Sequence, residues 1–585
     1  MCGAKLGVEA PVAAQESPFV RPNKTLDMQK QFMTLPRLKK DLWFLLLISA
    51  WLLPGVIGRD PWKADEAYTY GLVLHIMETG DCVVPMLGGE PFMQKPPLMF
   101  ITAAGFGKAL GPVIGLESAI RLSTALFLGL TLLCLGLASR ELNGEGKDWL
   151  APVLFAGCVG HFHELHMLIT DVALVSGFAI ALYGLALVPR KPWVSGLITG
   201  TGIGVAFMSK GLLGPGLIGV TMMLLFCFRT WRSKPYLISC VATGLALLPW
   251  VLLWPGLLYA RSPELFNTWF LDNNWGRFLG ASKIGIANRL GLDDSRYNFF
   301  LASLWFAWPA LPLGLWALWK EKREGFTKPG VQLPLLCLLV ILTILTMSRN
   351  GRALYALPIL VPAALLGARG VGWLRERFSQ AVHAFCFAVF GLALGVLWLG
   401  WTAQVTGWPG AIWQRLHAKF PDFHPAFGLC AFLVALVFTV GWVTWMLRQK
   451  KGAPVNAAVN WLLGVSGVYL LAMTLWLPLA ESNMSFRHLT SLRQALPAGH
   501  NCIGSVGLEE VQRGMFHYWA GVKTLRTEVN KQADCDLLLV QSDVRSEKGR
   551  AAPAGSWELL WQEVHSQKEL FRLYRKATPQ RPDSP

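Results

Sequence analysis

The chain has 585 residues, of which 53% are hydrophobic and only 15% are charged, and its mean hydropathy is +0.41. These values exclude an ordinary soluble protein of this length and indicate a polytopic membrane protein. The formal net charge of +17 does not indicate nucleic-acid binding, because Lys and Arg recur in short clusters at alternate span ends, which is the positive-inside pattern.

The first 40 residues lack the hydrophobic core segment that a cleavable secretory signal requires. They contain Pro and Gln and show little periodicity, so we expect residues 1–40 to form a disordered cytoplasmic tail. The first apolar span then acts as the insertion signal, and the N-terminus stays in the cytoplasm.

Residues 41–480 are predicted to form an all-α membrane domain, since a bilayer-spanning helix needs roughly 20 apolar residues. About thirteen such runs occur along the chain, one of them at 149–165. The loops at 59–116 and 257–297 are long and polar and are predicted to lie outside the cytoplasm. The short apolar stretch 97–110 is predicted to lie in the membrane interface.

The last hundred or so residues, 481–585, are predicted to form a small extracytoplasmic α/β domain. Its predicted elements are buried strands at 502–506 and 536–540, a helical segment at 508–518, a helix or turn at 531–532, and a hairpin within 559–574. Cys502 and Cys535 flank the two strands, and the sequence leaves open whether they form a disulfide.

The unusual polar residues fall on one side of the membrane when spans are counted from a cytoplasmic N-terminus. They are Arg59, Asp65, Glu66 and Lys95 in the first outer loop, and Asp171, Lys210, Arg277, Arg352 and Tyr355 at later outer turns. Retained charge near lipid is costly and by default suggests function. The sequence therefore predicts a single site on the outer face, with Asp65 and Glu66 as candidate catalytic residues and the other seven as candidate substrate ligands.

These residue types suit glycosyl transfer from a lipid phosphate. A carboxylate such as Asp65 can act as general base on an acceptor hydroxyl. Lys95, Arg277 and Arg352 can neutralise the phosphate that leaves as the glycosidic bond breaks. The two prolines after Lys95 restrict the backbone there and hold its charge ready.

The motifs also carry a family resemblance. Arg59-Asp60-Pro61 followed by Asp65-Glu66-Ala67, then Gly89-Glu90-Pro91-Phe92 and Lys95-Pro96-Pro97-Leu98, resemble the first outer loop of the GT-C glycosyltransferases of the protein O-mannosyltransferase superfamily, in particular the bacterial aminoarabinose transferases that modify lipid A. The similarity continues through Thr170-Asp171, Ser209-Lys210-Gly211, Asn274, Arg277-Phe278 and Tyr355 and covers most of residues 40–370.

The resemblance implies an inverting, polyprenyl-phosphate-dependent glycosyltransferase of the bacterial inner membrane, with a donor such as a sugar on undecaprenyl phosphate. It makes Asp65 the catalytic carboxylate, places Lys95 and Arg277 on the lipid phosphate, and has Tyr355 and Lys210 line the cavity. The implied acceptor is a lipid A-like lipid, another envelope glycan or a protein.

Two departures from the family pattern bear on metal binding. Gln94 stands where an acidic residue is usual, and Asn273-Asn274 stand where Glu-His is common. We therefore expect no cofactor, with a divalent metal left as the open alternative. His161, His163 and His166 do not share one helix face, so they do not suggest a metal site.

Simpler roles remain open for several of these residues. Asp65 could cap a helix, Glu66 could be a second acid or a partner of the helix dipole, Lys95 could reach lipid headgroups, and Asp171 could support the fold. As a whole, the chain could instead be a transporter or flippase of a lipid-linked sugar. Such a carrier ordinarily has internal repeats, and the sequence shows none.

Overall fold

The structure is a computed structural model that describes most of the chain. The described residues are 37–62, 64–160, 162–276, 296–347, 353–421, 423–449, 452–530, 534–545, 556–566 and 568–577. Two of the predicted site residues, Arg277 and Arg352, lie outside these ranges, as do residues 1–36 of the predicted tail and the predicted helix or turn at 531–532. Residues 37–40 of the predicted disordered tail are instead helical, because the first apolar helix begins at Arg37.

Helices long and apolar enough to cross a membrane number seven in the described part of the chain, and they make this a multi-pass membrane protein. They are Leu116–Asn143 (α4), Lys234–Arg261 (α10), Pro329–Met347 (α14), Leu354–Val371 (a 3-10 turn, Ala353–Ile359, continued by α15, Leu360–Val371), Glu376–Thr406 (α16), Leu429–Arg448 (α18) and Pro454–Ala472 (α19). The predicted number of about thirteen spans stays a prediction.

The other helices lie before, between and after these spans. They are Arg37–Leu52 (α1), Ala64–Thr79 (α2), Leu98–Ile114 (α3), Leu150–Ala156 (α5), Phe162–Leu165 (α6), Thr170–Ala186 (α7), Pro192–Lys210 (α8), Leu213–Leu225 (α9), Pro263–Asn267 (α11), Arg296–Phe306 (α12), Ala310–Gly325 (α13), Gly410–Lys419 (α17), Leu477–Met484 (α20), Leu492–Ala495 (α21) and Glu510–Met515 (α22). Two π-helical stretches, Thr268–Trp275 and Phe516–Ala520, follow α11 and α22.

The predicted span at 149–165 is not one continuous helix, which corrects the sequence-based assignment. The chain leaves the helical path after α5 and resumes it only at α6. Gly157 and Gly160 weaken helix formation there. At Gly160 a side chain has no room, because an added Cβ would lie 2.0 Å from the ring of Phe306.

The first outer loop folds as helix, hairpin and helix. Helix α2 is followed by the short antiparallel strands Met86–Leu87 (β1) and Glu90–Pro91 (β2). Gly88 and Gly89 form the two-residue turn between the strands. Their φ values are +57° and +95°, a backbone conformation that residues other than glycine rarely adopt. The hairpin returns the chain toward α3, and Lys95 stands between β2 and α3.

A five-stranded sheet follows the last helices, in the order β4-β3-β5-β7-β6. Its strands are Ile503–Val506 (β3), Leu525–Arg526 (β4), Leu537–Asp543 (β5), Trp557–His565 (β6) and Glu569–Lys576 (β7). β3 pairs in parallel with β4 and β5, while β7 is antiparallel to β5 and β6. The predicted strands, helix and final hairpin are confirmed, and Cys502 is disulfide-bonded to Cys535.

The sheet region packs against the outer loop rather than standing apart from it. At the crossing of α2 and α22, an added Cβ on Gly71 would lie 2.8 Å from the Cα of Gly514. Glu90 of β2 forms ion pairs with Arg513 and Arg526 of the sheet region, at 2.9 and 2.6 Å. The stretch Ile48–Pro585 accordingly forms one compact unit. The C-terminal region thus holds the loop that carries Asp65 and Lys95.

Candidate active site

Asp65, Tyr68 and Lys95 form a connected group on the first outer loop. Asp65 is the second residue of α2, and its Oδ1 accepts a hydrogen bond of 2.6 Å from the Tyr68 hydroxyl one turn later. The Lys95 ammonium donates to the oxygen of Tyr68 and lies 3.5 Å from Asp65 Oδ1. The Asp65 side chain is 23% exposed and that of Lys95 is 13% exposed. The group is therefore largely enclosed but open at the carboxylate.

Packing fixes the segment that carries Lys95. Val84 and Met93 belong to a buried cluster with Phe207 of α8 and Trp254 of α10. The indole Nε1 of Trp254 donates to the carbonyl of Val83 at 3.0 Å. The loop is thus anchored to α10 by a hydrogen bond and to α8 by apolar contact, and α8 ends at Lys210.

Lys210, Asp171 and Tyr355 form a second group. Lys210, the last residue of α8, pairs with Asp171 Oδ1 at 2.5 Å, and its ammonium lies 4.2 Å from the centre of the Tyr355 ring. Asp171 is fully buried, and its Oδ2 has no hydrogen-bond partner in the described part of the chain. A cation over an aromatic face is favourable. The three predicted residues are thus brought together.

Gly211 and Asn274 fix the turn that carries Lys210. Gly211 has a φ of +63°, and an added Cβ would lie 1.8 Å from Asn274 Oδ1. That oxygen accepts the N–H of Leu212 at 3.2 Å, while Asn274 Nδ2 donates to the carbonyl of Trp269. Asn274 therefore joins the π-helical stretch Thr268–Trp275 to the end of α8.

The two groups interact electrostatically. Burial opposes the charge on Lys95, but Tyr68 and Asp65 outweigh that effect and raise the pKa of Lys95 above its usual value. Lys210 and Asp171 also act on Lys95, with opposite signs. Lys95 and Lys210 are therefore electrostatically coupled, an arrangement that suits a ligand with more than one negative charge.

Glu66 and Arg59 belong to a separate, fully buried ion network. Arg59 donates to both oxygens of Glu66, at 2.9 and 2.8 Å, and Arg121 of α4 adds a third bond at 3.0 Å. The N–H of Leu168 donates to Glu66 as well. Burial alone would raise the pKa of Glu66, but the two guanidinium groups outweigh it and lower that pKa to about 2.

This network bears on two predicted roles. Glu66 and Arg59 were expected to act as a second acid and as a substrate ligand. Both side chains are 0% exposed and their polar groups are occupied, so neither is placed to touch a substrate. Their geometry fits a scaffold beneath Asp65. The remaining predicted ligands, Arg277 and Arg352, lie outside the described residues, close in sequence to Asn274 and Tyr355.

Asp60 of the first motif links the loop to the C-terminal region. Its carboxylate accepts hydrogen bonds from Arg487 and from the Ser485 hydroxyl, and its N–H donates to Glu481 at 2.7 Å. The aspartate of the Arg-Asp-Pro motif therefore fastens the start of the loop to the segment that leads into the sheet.

The histidine motif does not form a metal site in the described part of the chain. Both ring nitrogens of His166 lie against backbone carbonyls, of Phe162 at 2.7 Å and of Trp51 at 2.9 Å. Within the described ranges, no group of three His, Cys, Asp or Glu side chains could hold a metal ion. His166 is a buried structural residue, and His161 lies outside the described residues.

Sequence reasoning missed two residues of these networks. Tyr68 directly follows the motif Asp65-Glu66-Ala67 and was assigned no role from the sequence, although it contacts both Asp65 and Lys95. Arg121 was not singled out, although an arginine six residues into an apolar helix is itself a signal for a buried partner. Its partner Glu66 lies 55 positions away in sequence.

Comparison with known proteins gives concordant results. An undecaprenyl phosphate-alpha-4-amino-4-deoxy-L-arabinose arabinosyl transferase of Aeromonas salmonicida is 26% identical over 482 residues, covering 77% of this chain and 78% of that protein. The enzyme of the same name from Pseudomonas savastanoi pv. phaseolicola is 25% identical over 342 residues, covering 55% of this chain and 60%, less than two thirds, of that protein. No family model matches the chain.

The fold is that of a solved structure. ArnT from Cupriavidus metallidurans, bound to undecaprenyl phosphate, superposes with a TM-score of 0.67 at 17% identity, over 92% of this chain and 98% of that one. The chain is thus similar in sequence to these arabinosyl transferases and similar in fold to ArnT. The predicted GT-C fold, with its small C-terminal sheet, is confirmed.

Proposed function

We propose that this chain is a membrane glycosyltransferase that moves a sugar from a polyprenyl phosphate to an acceptor on the outer face of the bacterial inner membrane. The observation that carries the proposal is the partly open carboxylate of Asp65, held beside the ammonium of Lys95. A base next to a cation is what attack by a hydroxyl and departure of a phosphate require.

The proposed reaction is a single displacement at the anomeric carbon. The acceptor oxygen attacks that carbon while Asp65 takes its proton. The bond from the carbon to the phosphate oxygen breaks, and its electron pair leaves with the polyprenyl phosphate. Attack opposite the leaving group inverts the configuration of the sugar carbon. No metal or cofactor enters these steps.

Two lysines are proposed to receive the departing phosphate. Lys95 and Lys210 are both paired with carboxylates, yet an ammonium has three donors and can keep one partner while binding a phosphate oxygen. The ring of Tyr355 contacts the Lys210 ammonium through a cation–π interaction. Arg277 and Arg352 are proposed as further phosphate ligands on the strength of the motifs.

The proposed topology places the N-terminus in the cytoplasm and the sheet region, from about residue 481, in the periplasm. The disulfide between Cys502 and Cys535 supports this placement, because disulfides persist in oxidising compartments. The ion pairs of the sheet region with the outer loop support it too, since both must lie on the same side of the membrane.

The relatives guide the choice of donor and reaction class. They are named as arabinosyl transferases that use an undecaprenyl phosphate-linked aminoarabinose, and we propose the same donor class for this chain. Because these relatives are named as transferases, they favour an enzyme over a flippase for this chain. For the acceptor, a lipid A-like lipid, an envelope glycan and a protein all fit the chemistry of Asp65.

The test is mass spectrometry of envelope lipids and glycoproteins from cells that carry the wild-type chain or Asp65→Asn at matched membrane levels. We expect a sugar-sized mass increase on one acceptor with wild type and a loss of about 100- to 10,000-fold in its formation with Asp65→Asn. Asp148→Asn, at an exposed aspartate, is the matched control and should keep the product. Normal product from Asp65→Asn would exclude the proposed base.

A further inference from the structure

The strongest unassigned feature of the site is the hydroxyl of Tyr68. It lies between the base and the cation, with its proton donated to Asp65 Oδ1 at 2.6 Å and its oxygen accepting from Lys95. Tyr68 is 5% exposed, and its ring packs on Phe92 at 5.2 Å. The phenol is therefore fixed in one position by ring packing and by both of its polar partners.

The direction of the hydrogen bonds follows from the chemistry of the three groups. A lysine ammonium can only donate and an ionised carboxylate can only accept, so the phenol between them accepts from Lys95 and donates to Asp65. Burial raises the pKa of Tyr68 well above its usual value, which keeps the phenol protonated. The result is a continuous series of two hydrogen bonds, from Lys95 to Tyr68 and from Tyr68 to Asp65.

The two hydrogen bonds of Tyr68 resolve a conflict within the proposed mechanism. Lys95 and Asp65 are near enough to attract each other, at 3.5 Å, and a close direct pair would weaken the base and occupy the cation. The phenol satisfies one oxygen of Asp65 and uses one of the three ammonium donors of Lys95. The other donors of Lys95 can then turn to a phosphate, while the carboxylate keeps its orientation.

We propose that Tyr68 is a positioning residue that orients the carboxylate of Asp65 for proton abstraction and keeps Lys95 available for the leaving phosphate. The proposal rests on the proposed function, because it presumes Asp65 to be the base. Tyr68 acts through Asp65 and Lys95 and does not itself touch the substrate.

The test compares Tyr68→Phe with Tyr70→Phe. Both variants keep the aromatic ring and remove one buried hydroxyl from α2. The Tyr70 hydroxyl donates to the backbone carbonyl of Glu117 at 2.9 Å and serves as the matched control. The assay follows sugar transfer from an undecaprenyl phosphate-linked sugar by purified enzyme in detergent, with kcat, donor KM and the pH profile of kcat.

We expect Tyr68→Phe to lower kcat by about 10- to 100-fold, the worth of one hydrogen bond to a charged group, and to leave donor KM within about threefold. The acidic limb of its pH profile should move up by about one pH unit, because the ionised carboxylate loses a donor. Tyr70→Phe should change neither kcat nor the limb. Equal behaviour of the two variants would overturn the inference.

A second substitution keeps the test decisive if Tyr68→Phe accumulates poorly. 3-Fluorotyrosine at position 68 preserves the shape but makes the phenol a stronger donor, so the acidic limb should move in the opposite direction, to lower pH. An unmoved limb would overturn the inference. Asp65→Asn separates the two proposals: its inactivity with a wild-type profile for the position 68 variants rejects only the role of Tyr68, whereas full activity of Asp65→Asn rejects both.

Discussion

Asp65 and Glu66 are neighbours in sequence and opposites in environment. Asp65 is 23% exposed beside Lys95 and Tyr68, whereas Glu66 is fully buried between Arg59 and Arg121. Successive helix residues point about 100° apart, so two neighbouring residues in one turn of α2 can face different environments. The comparison teaches that two adjacent carboxylates of one motif can divide into a partly exposed one and a fully buried one, and that burial and pairing separate the two.

The largest expected effect comes from breaking the supporting carboxylate. Glu66→Ala leaves two buried guanidinium groups without their counter-charge, and removal of one partner of a buried pair costs about 3 to 5 kcal/mol of stability. We expect a large drop in Tm and in membrane abundance, measured by thermal unfolding in detergent. Asp65→Ala is the matched control and should keep Tm near that of wild type while activity is lost.

The opposite result would reverse the assignment. If Glu66→Ala folded normally and lost only activity, while Asp65→Ala lowered Tm, then Glu66 would be the working acid. The buried ion network would then be a catalytic device rather than a scaffold.

A smaller effect is expected at the turn that holds Lys210, which disturbs the site without touching Glu66. Gly211→Ala places a Cβ against Asn274 at a φ of +63°, a strain of roughly 1 to 3 kcal/mol. We expect weaker donor binding, seen as a raised KM, and a modest fall in Tm. Gly216→Ala, a helical position with nothing within 4 Å of the added Cβ, should leave KM unchanged and serves as control.

An unchanged KM in Gly211→Ala would show that donor binding does not depend on the position of Lys210. Lys210 would then serve only to neutralise the buried charge of Asp171.

The sequence singled out Asp65, Lys95, Asp171, Lys210 and Tyr355 because charge near lipid is rare and motif order is informative. It also predicted the strands around 502–506 and 536–540, since short apolar runs between turn residues are strong local signals. Both groups of ligands, Asp65 with Lys95 and Lys210 with Asp171, are found as neighbours. Their roles in catalysis stay predictions.

The division of labour between Asp65 and Glu66 could not be read from the sequence. It depends on contacts such as that of Arg121 with Glu66, which join positions far apart in the chain. The break between α5 and α6 was also missed, because the apolar pattern continues through Gly157 and Gly160 while the backbone leaves the helix. Periodicity reports burial, and it does not report where a buried segment stops being helical.

A pH dependence of stability distinguishes Glu66 from a titratable group in the sheet region. With its pKa lowered from 4.5 to about 2, Glu66 stabilises the fold fully above pH 4.5 and loses that contribution only below it. His565 is different. Burial, aided by His488, lowers its pKa from 6.5 to about 4. The neutral ring stacks on Phe486 at 4.0 Å between centroids.

The contribution of His565 to the free energy of unfolding is therefore fully present above pH 6.5. It is lost as the pH falls toward 4, because His565 binds a proton more readily in the unfolded chain. At about 1.4 kcal/mol for each pKa unit, the loss reaches at most about 3.5 kcal/mol. We expect His565→Phe, which keeps a ring on Phe486, to reduce the decline of Tm between pH 6.5 and 4.5, while His500→Gln leaves it unchanged. His166, whose pKa is also lowered to about 4, accounts for part of the remaining decline. A decline that persists in His565→Phe and disappears in Glu66→Gln would place the acid-sensitive charge in the buried network and contradict the depressed pKa of Glu66.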